Sequence, residues 1–233
     1  MLAELVPCAH DCRAYGTLGG VRPGTVVLAH GPLDPPDWWG LVAGELRRNG
    51  VHVIAPELMT GAPPYSVGWM AGMARPLHAA DVPTPLALVA HGTAGPLLPA
   101  LARTQRAARR AVGGYVFVDS SLPRPGAQTH LDLLRAADAG AADRVHASLH
   151  LGAASAPDYP PLAADHAFWS EPLPPAIDWP DAPCAYVRSG ADVRGVGPTQ
   201  WWARSAEQRG WLVDDSAREL AETVADVINQ LAG

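Results

Sequence analysis

The chain has 233 residues, with 17 basic and 23 acidic side chains and a formal net charge of −6. Every basic residue is an arginine, so Schiff-base chemistry on a lysine and a P-loop lysine are both excluded. The acidic balance argues against nucleic acid as a partner, and no apolar stretch approaches the ~20 residues of a membrane span. The acidic start, Met1–Glu4, is unlike a secretion signal, and we expect a cytoplasmic protein.

Short, valine-rich apolar runs alternate with helical patterns along the chain. The predicted strands are Thr25–His30, Val51–Ala55, Leu86–Ala90, Gly114–Val118, Cys184–Arg188 and Trp211–Val213. The predicted helices cover 37–48, 66–80, 96–111, 199–209 and 216–231. Asp37 is one predicted helix cap, and Asp214 or Asp215 is another. Because such runs suit strands buried on both faces, we expect one domain over residues 1–233 with a doubly wound, mostly parallel α/β sheet.

A long segment separates the fourth and fifth predicted strands. Residues 123–182 contain helical patterns at 131–138 and 141–150 and a proline-rich stretch. A plain crossover between parallel strands needs far fewer residues. We therefore interpret residues 123–182 as a lid inserted over the carboxyl ends of the strands, and the alternative is a structural excursion along a sheet edge.

The stretch at 86–101, L-A-L-V-A-H-G-T-A-G-P-L-L-P-A-L, resembles the nucleophile elbow of the α/β-hydrolase fold. That elbow is a strand, a tight G-x-S-x-G turn and a helix. The small residues that flank the turn here are Ala90, Ala94 and Gly95. Gly92 stands at the nucleophile position, and His30-Gly31 resembles the turn that carries one side of the family's oxyanion hole. The order of such motifs covers nearly the whole chain from about residue 25.

Two of the three triad positions that the resemblance implies are lost in this sequence. Gly92 has no side chain, and no histidine follows the last predicted strand, since His166 is the last histidine of the chain. An acyl-enzyme needs a hydroxyl or thiol whose proton a neighbouring imidazole can take. The loss of the nucleophile and of the histidine therefore predicts a non-hydrolytic enzyme of the cyclase, isomerase or lyase type.

The substrate that we expect is an apolar, oxygenated small molecule. The lysine-free composition, rich in alanine, arginine and proline, is typical of a GC-rich bacterium. A polyketide-like intermediate of bacterial specialised metabolism is one substrate that fits such a source. The alternative is a catalytically inactive hydrolase-like protein that binds a ligand or a partner, because a fold alone does not fix chemistry.

Candidate site residues lie near the elbow and the first turn. For catalysis we expect Asp119, at the end of a strand, and His30, whose imidazole suits proton transfer near neutrality. Each also has a structural interpretation, as a strand-end carboxylate or as a turn histidine bonded to backbone. The predicted substrate-binding residues are Leu33, Trp38, Gly92, Thr93, Ser120 and Trp169. We expect Thr93 to supply a backbone N–H rather than a nucleophile, and the Leu33 amide to replace that of Pro32, which has no N–H.

The cysteine and histidine patterns predict no metal or cofactor. Cys8 and Cys12 bracket His10, but no closing ligand pair follows, so we expect free thiols rather than a zinc site. His146 and His150 have helical i, i+4 spacing without a nearby acid to complete a metalloprotease pattern. We therefore expect a small-molecule substrate, no cofactor, no nucleic acid or membrane partner, and a homodimer as one possible assembly.

Overall fold

A single parallel sheet organises the structure, which is a computed structural model that describes residues 23–58, 61–79, 81–126, 128–150, 165–191, 193–216 and 218–232. Its six strands are β1 (Thr25–Ala29), β2 (Val53–Ile54), β3 (Leu86–His91), β4 (Val112–Val118), β5 (Cys184–Val187) and β6 (Leu212–Asp214). They lie in the order β2-β1-β3-β4-β5-β6, and every neighbouring pair is parallel. The parallel α/β sheet that the alternating pattern predicts is confirmed.

Helices connect these strands. Within the described residues they are α1 (Gly40–Arg48), α2 (Tyr65–Ala79), α3 (Leu98–Ala107), α4 (His130–Ala137), α5 (Ala139–His150), α6 (His166–Ser170), α7 (Thr199–Gln208) and α8 (Leu220–Leu231). A 3-10 helix, Gly92–Leu97, joins β3 to α3.

The two predicted caps are wrong. Asp37 accepts the Gly40 N–H through its backbone carbonyl, and no side chain caps α1. Helix α8 begins only at Leu220, without a side-chain cap. The Asp214 carboxylate instead accepts hydrogen bonds from Ser216 and Arg218, because it lies at the end of β6 and before the turn that leads to the helix.

The strands send alternate side chains into two cores, one on each face of the sheet. Leu88 belongs to the core that α2, α3 and α7 cover. Its neighbour Val89 belongs to the core that α1 and α8 cover. Both side chains are fully buried, and this double burial is the reason why the strands read as continuous apolar runs.

The strand order places a crevice between β1 and β3. From β1 the chain goes to β2 on one side and then returns to β3 on the other side of β1. In open α/β sheets, ligands bind outside the carboxyl ends of the strands where the order reverses in this way. The segments that leave this point are the turn at 30–34 after β1 and the turn at 91–93 after β3.

The segment between β4 and β5 carries helices α4, α5 and α6, which form a small core of their own. Phe168 and Trp169 of this insertion pack in one cluster with Leu33 and Tyr65 from the rest of the domain. Part of the predicted lid, including 151–164, lies outside the described residues. The insertion thus covers the turn after β1, and its action as a lid stays a prediction.

Two acidic side chains hold the insertion against the first turn of α2. The Glu171 carboxylate accepts the N–H groups of Tyr65 and Ser66, each at 2.7 Å. The Tyr65 hydroxyl donates to Asp165, whose other oxygen caps α6 by accepting the Ala167 N–H at 2.8 Å. These contacts give partners to helix N–H groups that have no intrahelical acceptor.

Candidate active site

The turn after β1 brings a carboxylate to the carboxyl end of the sheet. The Asp34 N–H donates to the Gly31 carbonyl at 3.0 Å, with Pro32 at the second position of the turn, where proline is favoured. In return the Gly31 N–H donates to Asp34 Oδ2 at 2.6 Å. A Cβ on Gly31 would lie 2.7 Å from Thr93 Oγ1, so only glycine allows the two turns to approach this closely.

The turn after β3 has the conformation of a tight elbow. Gly92 has a φ of +61°, in the left-handed region that glycine enters without steric cost. Its carbonyl oxygen accepts the Ser120 hydroxyl at 2.6 Å and the Ser121 N–H at 3.2 Å. The predicted substrate-binding residue Ser120 therefore lies behind the turn and stabilises the elbow from there.

Asp34 and His91 form a hydrogen-bonded pair across the crevice. Asp34 Oδ2 and His91 Nδ1 are 2.7 Å apart, and the side chains are only 9% and 2% exposed. A carboxylate acceptor requires the proton on Nδ1. Trp38 stacks on the imidazole with the ring centres 4.1 Å apart. Nε2 of His91 is buried and has no hydrogen-bond partner among the described residues.

The Asp34 carboxylate occupies the space above Gly92. A Cβ on Gly92 would lie 3.1 Å from Oδ2 and 3.3 Å from Oδ1. Oδ2 is held by Gly31 and His91, whereas Oδ1 accepts no hydrogen bond from the described part of the chain. We call Gly31, Asp34, His91, Gly92 and Thr93 the elbow cluster. Its carboxylate lies where a nucleophilic side chain at position 92 would project.

Thr93 contributes polar groups to the cluster and an apolar wall beside it. Its Oγ1 is buried and unpartnered within the described residues, and its N–H lies in the first turn of a helix, where no intrahelical acceptor is available. The methyl group of Thr93, Leu33 and Trp169 converge around Gly195, and all three side chains are at most 5% exposed. Trp38, at 37% exposure, lies on the accessible side of the cluster.

His30 is buried beside the elbow cluster, and the backbone uses both of its nitrogens. Nδ1 donates to the Gly31 carbonyl at 2.9 Å, and Nε2 accepts the Leu58 N–H at 3.0 Å. Burial lowers the pKa of His30, and Nε2 must be without a proton to accept the Leu58 N–H. No ring nitrogen is left for a substrate, so the predicted catalytic role of His30 does not fit this structure.

Asp119 joins the ends of β4 and β5. Its carboxylate accepts the Ser189 N–H at 3.1 and 3.2 Å as well as the Ser189 hydroxyl. Burial raises the pKa of Asp119, and the hydrogen bonds from Ser189 oppose that rise. Both oxygens serve the structure, and no hydrogen bond links this carboxylate to the elbow cluster within the described residues. These contacts give Asp119 a structural role, and its catalytic role stays a prediction.

The candidate residues taken from the sequence include neither Asp34 nor His91. A signal for both was present, because each follows a predicted strand within a few residues. Since β1 and β3 are neighbours with Ala29 opposite Ala90, residues that follow them meet at the same edge. The adjacency of two strands that are far apart in sequence was the missing information.

The described residues contain no group of three or more side chains suited to a metal ion. They also contain no helix that is long and apolar enough to cross a membrane. The possible ligands Cys8, His10 and Cys12 lie outside the described residues, so that expectation stays untested.

Solved structures share this architecture over nearly the whole chain. A pyrethroid hydrolase from Sphingobium faniae has a TM-score of 0.56 and 19% identity, over 88% of this chain and 97% of its own. An extracellular α/β-hydrolase from a Paenibacillus species has a TM-score of 0.60 and 17% identity, over 90% and 99%. The chain has the α/β-hydrolase fold.

A third α/β-hydrolase-fold structure is a variant of tomato methylketone synthase I complexed with β-ketoheptanoate. Its TM-score is 0.56 at 12% identity, over 90% of this chain and 99% of its own. No protein-family model and no curated protein matches this chain. At identities this low the comparisons establish only the fold, and the chemistry has to be inferred from the residues of the site.

Proposed function

We propose that this protein is a non-hydrolytic enzyme that removes a proton beside a carbonyl group of an apolar, oxygenated small molecule, with Asp34 as the base. One observation carries the proposal: Asp34 has one oxygen anchored by two hydrogen bonds and the other free, directly over Gly92. A general base needs a fixed orientation and a free lone pair at the reacting atom. Cyclisation, isomerisation and elimination can all start from this step.

The proposed step is a simple proton transfer. The substrate C–H bond breaks, an O–H bond forms on Asp34 Oδ1, and the electron pair moves onto the substrate carbonyl oxygen as an enolate. The N–H and hydroxyl of Thr93 are donors that can stabilise this oxyanion. His91 is a positioning residue, since its Nδ1 holds Oδ2 and so aims Oδ1.

The chemistry of the site fits this class of reaction. Enzymes that shift a proton beside a carbonyl use aspartate as the base in documented cases. Trp38 offers an apolar, partly exposed ring that stacks on His91, the partner of the carboxylate, and such a ring suits an apolar substrate body. β-Ketoheptanoate, the ligand in the methylketone synthase structure, has acidic protons beside its ketone carbonyl. An uncharged β-dicarbonyl compound has such protons without a carboxylate, and it is the first ligand class to test.

Deuterium exchange tests the proposal without knowledge of the natural substrate. Benzoylacetone, a β-diketone, is incubated with the protein in D₂O, and the loss of its α-proton signal is followed by NMR. We expect exchange faster than in buffer, and a fall of about a hundredfold or more in Asp34→Asn. Asp37→Asn, at an exposed position nearby, is the matched control. Equal exchange with and without protein, or full activity of Asp34→Asn, overturns the proposal.

A second candidate function, a catalytically inactive ligand-binding protein, is favoured by the filled space beside Thr93. Leu33 and Trp169 close that side of the elbow cluster. Because this space is filled, a ligand would bind on the exposed surface around Trp38 and would not be converted. Saturable binding of benzoylacetone in NMR line-broadening, with no exchange of its α-proton, would favour this candidate over the enzyme.

A further inference from the structure

Two arginines lie beside each other on the face of the sheet that α7 covers. Arg209, just after α7, donates to the Pro123 carbonyl at 3.2 Å, and Pro123 directly precedes Arg124 in the chain. The Arg124 guanidinium lies 5.3 Å from the ring centre of Trp201. The Arg209 guanidinium lies 5.0 Å from that of Trp211. Each guanidinium therefore packs against an indole ring, and both arginines adjoin the Pro123–Arg124 peptide. We call Arg124 and Arg209 the arginine pair.

Neither member of the arginine pair has a carboxylate partner in the described part of the chain. The ion pairs found there use other arginines, such as Arg106 with Asp181 at 2.5 Å. Both Arg124 and Arg209 are nevertheless half-buried. Burial lowers the pKa of Arg209, and repulsion from Arg124 lowers it further. Two partly desolvated like charges are unfavourable unless an anion compensates them.

We propose that the arginine pair and its two tryptophans bind a small oxyanion, a carboxylate or phosphate group, at a site separate from the elbow cluster. A guanidinium presents a rigid fork of N–H groups that matches such an oxyanion with two parallel hydrogen bonds. Arg209 uses one N–H on Pro123, and Arg124 donates no hydrogen bond within the described residues, so most of their donors are available. The indole rings fix both forks and give an apolar wall for the body of the ligand.

Isothermal titration of the whole protein tests this site with inorganic phosphate and, separately, benzoate. The comparison distinguishes the two oxyanion sources, since the tighter probe identifies the class. We expect saturable binding of at least one probe, weakened about tenfold or more in Arg124→Gln and in Arg209→Gln. Arg48→Gln, at an exposed arginine of α1 on the opposite face of the sheet, removes the same charge and leaves binding unchanged.

Arg124→Gln keeps the test decisive if Arg209→Gln fails to fold. Arg209 contributes a backbone hydrogen bond to the structure, whereas Arg124 contributes only its ring contact. Circular dichroism confirms that each variant is folded before titration. No saturable heat with either probe, or equal affinities for Arg124→Gln and Arg48→Gln, overturns the proposal. This site does not depend on the proposed function of the elbow cluster, and deuterium exchange by Arg124→Gln is expected to stay at the level of the unmodified protein.

Discussion

The Asp34 carboxylate lies 3.1 Å from the point at which Gly92 would carry a Cβ, in the space that a nucleophilic side chain at the elbow requires. The same carboxylate accepts the Gly31 N–H and pairs with His91. A position that would carry an attacking hydroxyl is thus occupied by a fixed negative charge. Such a charge repels substrate carboxylates and favours groups that give up or donate a proton.

Gly92→Ser is expected to destabilise the protein and to create no esterase. A residue with a Cβ at this φ costs about 1–2 kcal/mol, and the added atom would also crowd Asp34 and Val193 at 3.1 and 3.3 Å. The new hydroxyl would still lack the histidine that the family places after the last strand, and Nδ1 of the neighbouring His91 is already paired with Asp34. Urea unfolding and the hydrolysis of p-nitrophenyl acetate measure the two effects. Rapid ester turnover by Gly92→Ser would show that our account of the lost triad is too strict.

Asp34→Ala is expected to lower the free energy of unfolding by about 2 kcal/mol. The substitution leaves the Gly31 N–H and His91 Nδ1 without their acceptor, and an unsatisfied buried donor costs about 1–3 kcal/mol. Urea unfolding measures the loss. Asp37→Ala, at an exposed position in the same loop, is the control, with a change within about 0.5 kcal/mol. Equal stability of the two variants would contradict the pairing of Asp34.

Glu171→Ala is expected to loosen the insertion. Without this carboxylate the N–H groups of Tyr65 and Ser66 lose their cap, at a cost of about 1 kcal/mol. Hydrogen exchange should become faster at these two amides and across α4 and α6. Glu207→Ala, at an exposed position of α7, is the matched control and should leave exchange unchanged. Unaltered protection of α2 and the insertion in Glu171→Ala would contradict the role of this contact.

Acid is expected to destabilise the insertion through His130. This ring is buried and stacked on Phe168 with centres 4.5 Å apart, and burial lowers its pKa to about 3. The unfolded chain binds a proton near the ordinary value of about 6.5 while the folded chain does not, so the free energy of unfolding falls as the pH drops from about 6.5 towards 3. By about pH 5 this loss amounts to about 2 kcal/mol.

Urea unfolding at pH 7 and pH 5 measures this acid dependence. In His130→Gln the part of the slope due to this ring should disappear, whatever the absolute stability of the variant. His78→Gln, at an exposed position of α2, should keep the slope of the unmodified protein. A slope that is the same in both variants would show that His130 does not cause the acid dependence.

The sequence predicts β1, β3 and β5 well because each is buried on both faces and so has its own apolar run. The run Leu86–Ala90 becomes strand Leu86–His91, and Cys184–Arg188 becomes Cys184–Val187. The helix caps are less predictable. Aspartate is a common capping residue, so the sequence predicts that Asp37 caps α1. Residues 37–40 instead form a turn, α1 begins only at Gly40, and the Asp37 carboxylate caps no helix.

The candidate site depends on information that no local pattern contains. His30 directly follows β1 and His91 is the last residue of β3, and each precedes a glycine, so their local sequences do not distinguish them. The fold distinguishes the two histidines. The Leu58 N–H donates a hydrogen bond to Nε2 of His30, whereas His91 pairs with Asp34, which lies 57 residues away in sequence. The burial of Trp169 likewise follows from how the insertion packs on Leu33, and not from its own sequence neighbours.

An elbow without a nucleophile should not react with reagents that trap serine hydrolases. The protein is incubated with a fluorophosphonate, and its intact mass is measured, with a serine hydrolase of the same fold as the positive control. Our account predicts an unmodified mass for this protein and a complete adduct for the control. A stoichiometric adduct on a hydroxyl of this chain, lost in Thr93→Ala, would contradict the central claim that Asp34 has taken the place of the attacking side chain.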